Sequence, residues 1–265
     1  MIKKILSIIT WILTAAGLLT LLGFARYDHY RQAVNGIQIE IKSQDQKPGF
    51  LSYQEMNRQI AGIINLESQP KISDINIRKL ESQLLRNPYV LSAAASTSVN
   101  RKLNVTLQER KAMMRVYTTD DKSYFIDEQG IVFPTHPTHV IRALIASGNI
   151  EPLSLNKNST LSLNDTLKSL ETLKAVHEIG TILLADDFMN VLIDQIYVTP
   201  KNQYELMTSI GGPSILLGDG KNLGQKISNV GHFYKAKAAS SELHQYVMLN
   251  ASYRNQIVCI KRDSL

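Results

Sequence analysis

Apolar residues come first as an unbroken block and only later at regular intervals. Ile5 to Ala25 (ILSIITWILTAAGLLTLLGFA) is a run of 21 residues without a charge. At about 1.5 Å per residue a helix of that length reaches roughly 30 Å, the thickness of a hydrocarbon core. The block predicts a single transmembrane helix over 5–25. The competing reading is a cleaved signal peptide, whose apolar region is normally only about 7–15 residues long. Lys3 and Lys4 set residues 1–4 on the cytoplasmic side by the positive-inside rule, although Arg26 and Arg31 pull the other way. Everything from a polar stalk over 26–34 onward is then expected outside the cytoplasm.

Beyond the stalk the period changes. Ile37, Ile39 and Ile41 alternate with Gln38 and Glu40, the pattern of a half-buried strand, and Pro48-Gly49 breaks it. Ser52 is placed to cap a helix with Glu55 as capping-box partner, followed by Met56, Ile60, Ile63 and Ile64 at helical spacing. A second helix is expected from Ser73-Asp74, burying Ile77, Leu80, Leu84 and Leu85 and ending before Pro88. Val90–Val99 and Leu103–Leu107 read as strands around the turn Asn100-Arg101-Lys102. Residues 35–110 thus form a β-α-α-β-β unit that can close one core, two helices on one face of a three-stranded sheet.

Residues 111–265 read as a second, mainly antiparallel β domain with flanking helices, which makes the fold class α+β. Ala112–Tyr117, Ser123–Ile126 and Ile131–Pro134 are short strands separated by Asp- and Gly-rich turns. Leu163–Ile179 has Asn164 or Asp165 as a cap, Leu167, Leu170, Leu173 and Val176 on one face, and Gly180 as its stop. Val191–Val198, Gln203–Thr208 and Ser214–Leu217 are strands, and Leu223–Ala238 is a helix. Tyr246–Leu249 is expected as an internal strand and Asn255–Ile260 as the final one.

Composition removes some functions. The chain has 265 residues, 44% of them hydrophobic, enough for one large or two modest cores. One cysteine, Cys259, excludes an internal disulfide and a Cys-rich metal site. The net charge of +6 is dispersed, without a basic run, which fits an anionic lipid or cell-wall surface better than a nucleic acid. Six histidines (His29, His136, His139, His177, His232, His244) show no metal-ligand spacing. His136 and His139 flank Pro137 in a loop, and Asp186-Asp187 reads as a solvated cap. Gly211-Gly212-Pro213 and Gly218-Asp219-Gly220 lack the Lys-Ser/Thr of a phosphate loop and read as turns. No nucleophile elbow is present at Ser52, Ser147 or Ser214.

An ordered series of motifs carries a resemblance. Leu84-Leu85-Arg86-Asn87-Pro88-Tyr89-Val90 and Val99 to Arg110 resemble the end of a POTRA domain in the bacterial cell-division family FtsQ/DivIB. Tyr124 to Phe133 is similar to that family's aromatic-x-x-Asp-x-x-Gly-x-x-Phe hairpin. Leu216-Leu217-Gly218 matches its strand ending in Leu-Gly, and Leu249 to Tyr253 lies where the family has Val-Asp-Leu-Arg-Tyr. The sequence departs from the family in having Lys102-Leu103 for aromatic-Pro, Lys111 for Pro, and Asn250-Ala251-Ser252 for Asp-Leu-Arg.

The resemblance implies a non-enzymatic, cofactor-free divisome scaffold of the inner membrane, sited at the septum and linking early and late division proteins. The implied partners are the coiled-coil membrane proteins FtsB and FtsL, and through them the septal peptidoglycan synthases. Two other classes stay open, a POTRA component of outer-membrane assembly and a membrane-anchored cell-wall enzyme. The expected partner site is the last strand, Tyr253, Arg254, Asn255, Gln256, Ile257, Val258, Cys259, Ile260 and Lys261, whose outer edge can accept an added strand by β-augmentation. Tyr253, at the head of that strand, reads equally as an interface anchor and as a core tyrosine. Arg254, Lys261 and Arg262 suit an acidic partner segment.

Overall fold

The computed structural model describes residues 2–43, 49–136, 141–166, 170–237 and 241–262. Pro48, Pro137, His139, Leu167, Ala238 and residues 263–265, which figured in the sequence reading, lie outside them. Two compact units divide at Glu109–Arg110.

The first unit opens with α1 (Ile2–Arg31), a 30-residue helix. Its side chains are described from Ile9, and Trp11, Leu19, Leu21 and Phe24 are all exposed. Among the described residues no helix is long and apolar enough to cross a membrane. The stalk expected over 26–34 is not a separate segment. The helix continues to Arg31, Ala33 bridges to Lys71, and Val34 is buried. Backbone bonds from Ile72 N–H to the Gln32 carbonyl and from Val34 N–H to the Pro70 carbonyl, both 3.0 Å, seat that stretch on the unit.

β1 (Gly36–Lys42), α2 (Tyr53–Ile64), α3 (Ile77–Leu84), β2 (Val90–Thr97) and β3 (Lys102–Glu109) follow. The sheet order is β1-β3-β2, with β1 parallel and β2 antiparallel to the central β3. Leu103, Val105 and Leu107 on one face of β3 pack with Met56 and Ile60 of α2 and Leu80 and Leu84 of α3. Several details differ from the expectation. The Ser52 side chain makes no capping bond to α2. Ile72–Asp74 forms a separate 3-10 turn, and α3 starts after Asn76, whose side chain accepts from Lys79 N–H at 3.0 Å. Leu85 is exposed because α3 ends one residue before it, and Val99 lies in the turn rather than in β2. The Ala95 N–H of edge strand β2 donates to Glu81 of α3 at 2.8 Å.

In the second unit β4 (Met114–Tyr117), β5 (Ser123–Ile126), β6 (Ile131–Pro134), β7 (Leu144–Gly148), β8 (Leu161–Ser162), β9 (Ile193–Val198), β10 (Tyr204–Thr208), β11 (Ser214–Gly218), β12 (Tyr246–Asn250) and β13 (Val258–Lys261) form one sheet. Its order is β13-β12-β11-β10-β9-β7-β4-β5-β6-β8. Among the described pairings six are antiparallel and three parallel. α4 (Glu171–Ala185), α5 (Asp187–Leu192) and α6 (Leu223–Lys237) contribute Leu173, Val176, Met189, Ile227 and Val230 to the core shared with the sheet.

The predicted helix Leu163–Ile179 is found as α4 from Glu171, and 163–166 are not helical. Leu161–Ser162 pairs with Val132 and Ile131 as β8, and Asn164-Asp165 turns rather than caps. Gly180 does not stop α4. It is buried inside it, where a Cβ would come within 2.2 Å of Met114 Cε, so glycine there permits close approach of helix to sheet. Asp186 caps α5, accepting from Phe188 and Met189 N–H at 2.9 and 3.1 Å. Val191 and Leu192 belong to α5, not to β9. The hydrophobic pattern does not predict β7 or β8. β7 runs parallel to both neighbours in the middle of the sheet, a setting that does not require strict polar alternation.

The hairpin motif at Tyr124–Phe133 now has a physical basis. Buried Asp127 accepts Gln129 and Ile131 N–H at 2.9 and 2.8 Å and pairs with the Arg110 guanidinium. Arg110 also lies 5.8 Å from the Phe133 ring, which packs on Phe125 at 5.6 Å. Asp127→Ala strands a buried guanidinium and should cost about 3–5 kcal/mol, read as a lowered urea midpoint of the full chain.

Burial pushes the Tyr234 phenol up to about 12 from its usual 10.0. The unfolded chain therefore loses its proton first. This contribution is intact below about pH 10 and is lost as pH rises through about 12. Tyr234→Phe should lose less stability than the parent between about pH 9 and about pH 11 in urea titrations.

Candidate functional site

The end of the large sheet is built from β11, α6, β12 and β13. β12 lies between β11, to which it is parallel, and β13, to which it is antiparallel. Leu249, buried in the core, faces Cys259 across the β12–β13 pair, and Cys259 and Ile257 are partly buried against that core. Val258 is 43% exposed. Burial pushes the Cys259 thiol up, with the Lys237 charge opposing it. β13 is the terminal strand of the sheet, so its outer edge carries no strand partner among the described residues.

The segment between the two strands is pinned from the other side. Ala251 N–H donates to the Leu216 carbonyl at 2.8 Å, and Asn250 Oδ1 accepts from Ser252 N–H and Oγ at 3.0 and 2.5 Å. Gly218, at φ +81, lies against Ser252, and a Cβ there would come within 2.8 Å of the serine Cβ. Lys226, buried on α6, donates to the Leu217 carbonyl at 2.7 Å and to Asp219 at 3.4 Å. The Lys221 N–H, and after it the Lys226 ammonium, hold the Asp219 carboxyl below the usual carboxylate range.

Two clefts flank this segment. One, of about 510 Å³, is lined by Lys221, Lys226, Asn229, Tyr253, Arg254 and Asn255 among others. The other, of about 490 Å³, is lined by Asn229, His232, Phe233, Asn255, Gln256 and Ile257.

The expected site residues fall into three groups. Tyr253, Arg254 and Asn255 form a turn, with Asn255 left-handed at φ 60. Gln256 and Ile257 lead out of it without strand pairing, and Val258, Cys259, Ile260 and Lys261 make β13. Tyr253 is therefore not at the head of the strand, because the left-handed turn intervenes. At 51% exposure it is not a core tyrosine. Lys226 and the Gly218 contact went unread in the sequence, although a lysine between Leu223, Ile227 and Val230 on an apolar helix face is a signal of a buried cation needing acceptors. His177, one of the six histidines, approaches the Asp127 carbonyl at 3.1 Å. Among the described residues no group of three His, Cys, Asp or Glu side chains could hold a metal ion.

These features define an α+β protein whose second unit is a large mixed sheet ending in an open strand, with two clefts beside the turn that leads into it. The family FtsQ/DivIB, C-terminal related, matches residues 111–260, more than half of the chain, and the protein belongs to it. No curated protein matches the chain. FtsQ/DivIB proteins are non-enzymatic division proteins, and membership of this related family points to a role in cell division.

Gly218→Ala forces a left-handed alanine against Ser252 and should cost about 1–3 kcal/mol. Thermal melting of the full chain measures the loss, and hydrogen exchange should show faster opening at residues 246–261 than at β4–β6.

Proposed function

We propose that the chain is a bitopic divisome scaffold: α1 anchors it in the inner membrane, residues 35–110 form a POTRA-like domain, and residues 111–265 dock a division partner on the edge of β13. The observation that carries this reading is the position of β13 at the end of a ten-stranded sheet in an FtsQ/DivIB-related domain. The anchor is supported by the uncharged run Ile5–Ala25 inside a helix whose described apolar side chains are exposed. The amino terminus then lies in the cytoplasm and the two units outside it, at the septum.

An added strand would use the outward N–H and C=O groups of β13, each bond contributing roughly 0.5–1.5 kcal/mol net. Four such bonds fall short of the about −8 kcal/mol of a micromolar complex, so side chains must supply the remainder. Tyr253, Arg254 and Val258 are among the exposed groups placed to do so, with Asn255, Gln256 and Ile257 also lining the clefts and Lys261 suiting an acidic segment. The partner this implies is FtsB, in complex with FtsL, which connects the scaffold to the septal peptidoglycan synthases.

Proline at Val258 and, separately, at Cys259 tests the edge, because of two consecutive strand residues one directs its N–H outward. The outward position should lose FtsB pull-down with the fold intact by circular dichroism. Unchanged capture by both variants refutes edge pairing. Tyr253→Ala should weaken binding by about 2 kcal/mol, roughly 30-fold in Kd. A fluorescent fusion should sit at midcell and depletion should give filaments; a uniform peripheral signal with normal septation sinks the division role.

A further inference from the structure

We propose that the pole of the first unit next to α1 is a binding surface for anionic phospholipid, built from Lys71, Arg101 and Lys102 around the exposed tip residue Val99. The inference rests on the reading of α1 as a membrane anchor.

Its basis is the way the chain leaves the helix. One residue after Arg31, the Gln32 carbonyl accepts from Ile72 N–H at 3.0 Å, and Ala33 bridges to Lys71. Asn35 N–H donates to the Arg101 carbonyl at 2.8 Å, and Gly36 stands opposite Lys102 in the β1–β3 ladder. The residues directly after α1, 32–35, are thus hydrogen-bonded to the segments 69–72 and 98–102, with no free linker. Arg31 is six residues beyond Ala25, about 9 Å along a helix. That is comparable to the roughly 5–8 Å polar layer of one leaflet and to the about 8 Å Debye length.

The two segments carry Lys71, Arg101 and Lys102 and no carboxylate. All three cations are exposed, and among the described residues none is in an ion pair. The nearest carboxylates along the chain are Glu67 and Asp74, the latter accepting from Ser73 Oγ. The turn is rigid: Ser98 N–H donates to the Lys102 carbonyl at 2.9 Å, Arg101 N–H to the Ser98 carbonyl at 3.0 Å, and Arg101 is left-handed at φ 63. It holds Val99 out at 88% exposure, an apolar tip flanked by cations. That pairing suits a headgroup layer, where cations meet phosphate and a small apolar side chain meets the acyl boundary. An acidic protein segment would use the cations but would not call for an apolar tip beside a membrane-directed helix.

The test uses the full chain in lipid nanodiscs, with Cys259→Ser as background and a fluorophore on Val99→Cys. Quenching by headgroup spin-labelled lipid should be about threefold or more stronger in discs with about a third phosphatidylglycerol than in phosphatidylcholine alone. Lys71→Gln/Arg101→Gln/Lys102→Gln should reduce it to the neutral-lipid level. A label at Lys42→Cys, at the other end of β1 and about 20 Å away, should stay unquenched. Equal quenching in both lipids, or in the triple variant, overturns the proposal, as does protection of the label only when a protein partner is added. Trp11, the one tryptophan of the chain, reports the anchor separately through quenching by brominated acyl chains. Quenched Trp11 with an unquenched Val99 label defeats only the lipid surface; unquenched Trp11 overturns the anchor and this proposal with it.

Discussion

A hydrogen-bonded sheet that does not close must end, and at each end a row of backbone donors and acceptors faces outward. The ten-stranded sheet is held by one ladder from β8 to β13, and the helices α4, α5 and α6 cover a face of that ladder rather than its end. The smaller sheet of the first unit treats the same constraint differently. There Glu81, reaching from α3, takes the Ala95 N–H of edge strand β2, so a side chain satisfies what a further strand would have used. Nothing comparable occupies the outer edge of β13 among the described residues, and this contrast between two edges of one chain is the physical basis of the docking role proposed for β13.

An edge is useful only if it is held still. β13 has just four residues and pairs on one side, so its position depends on the polypeptide before it. That stretch is secured by contacts that run back to β11 and α6: Ala251 to the Leu216 carbonyl, Gly218 against Ser252, and the Lys226 ammonium on the Leu217 carbonyl. A buried lysine would be costly on its own. Two acceptors offset its desolvation, one of them a carboxylate. The buried Arg110–Asp127 pair plays the corresponding part at the start of the unit, where Asp127 also takes two backbone donors of the hairpin turn.

The join between α1 and the first unit follows the same economy. Backbone bonds of Gln32, Val34 and Asn35 leave no free linker, so the turn 98–102 is held close to the point where the chain leaves α1. For an anchored protein this restricts how the first unit can tilt relative to the bilayer.

Local pattern alone was enough to read most of these elements. The alternation of Leu103, Val105 and Leu107 and the helical spacing of Met56, Ile60 and Ile64 specify burial through the side chains themselves, so β3 and α2 stand where their periods put them. The family resemblance, carried by motifs such as Tyr124–Phe133 and Leu216–Gly218, was likewise legible, because each motif encodes a turn or close contact made by neighbouring residues. What only the tertiary structure decided depends on residues far apart in the chain. β7 has no signature of its own and becomes a strand because β4 and β9 pair with it on either side. Gly180 lies inside α4, where it faces the Met114 side chain of β4. Asp186 instead of Gly180 marks the end of that helix because its carboxylate caps the next one. Tyr253 is half-exposed in a turn, rather than leading a strand, because Asn255 is left-handed and the pairing with β12 begins only at Val258. A sequence states which residues want burial or a turn; which strands become neighbours, and so which edge is left open, is set by the free energy of the whole sheet.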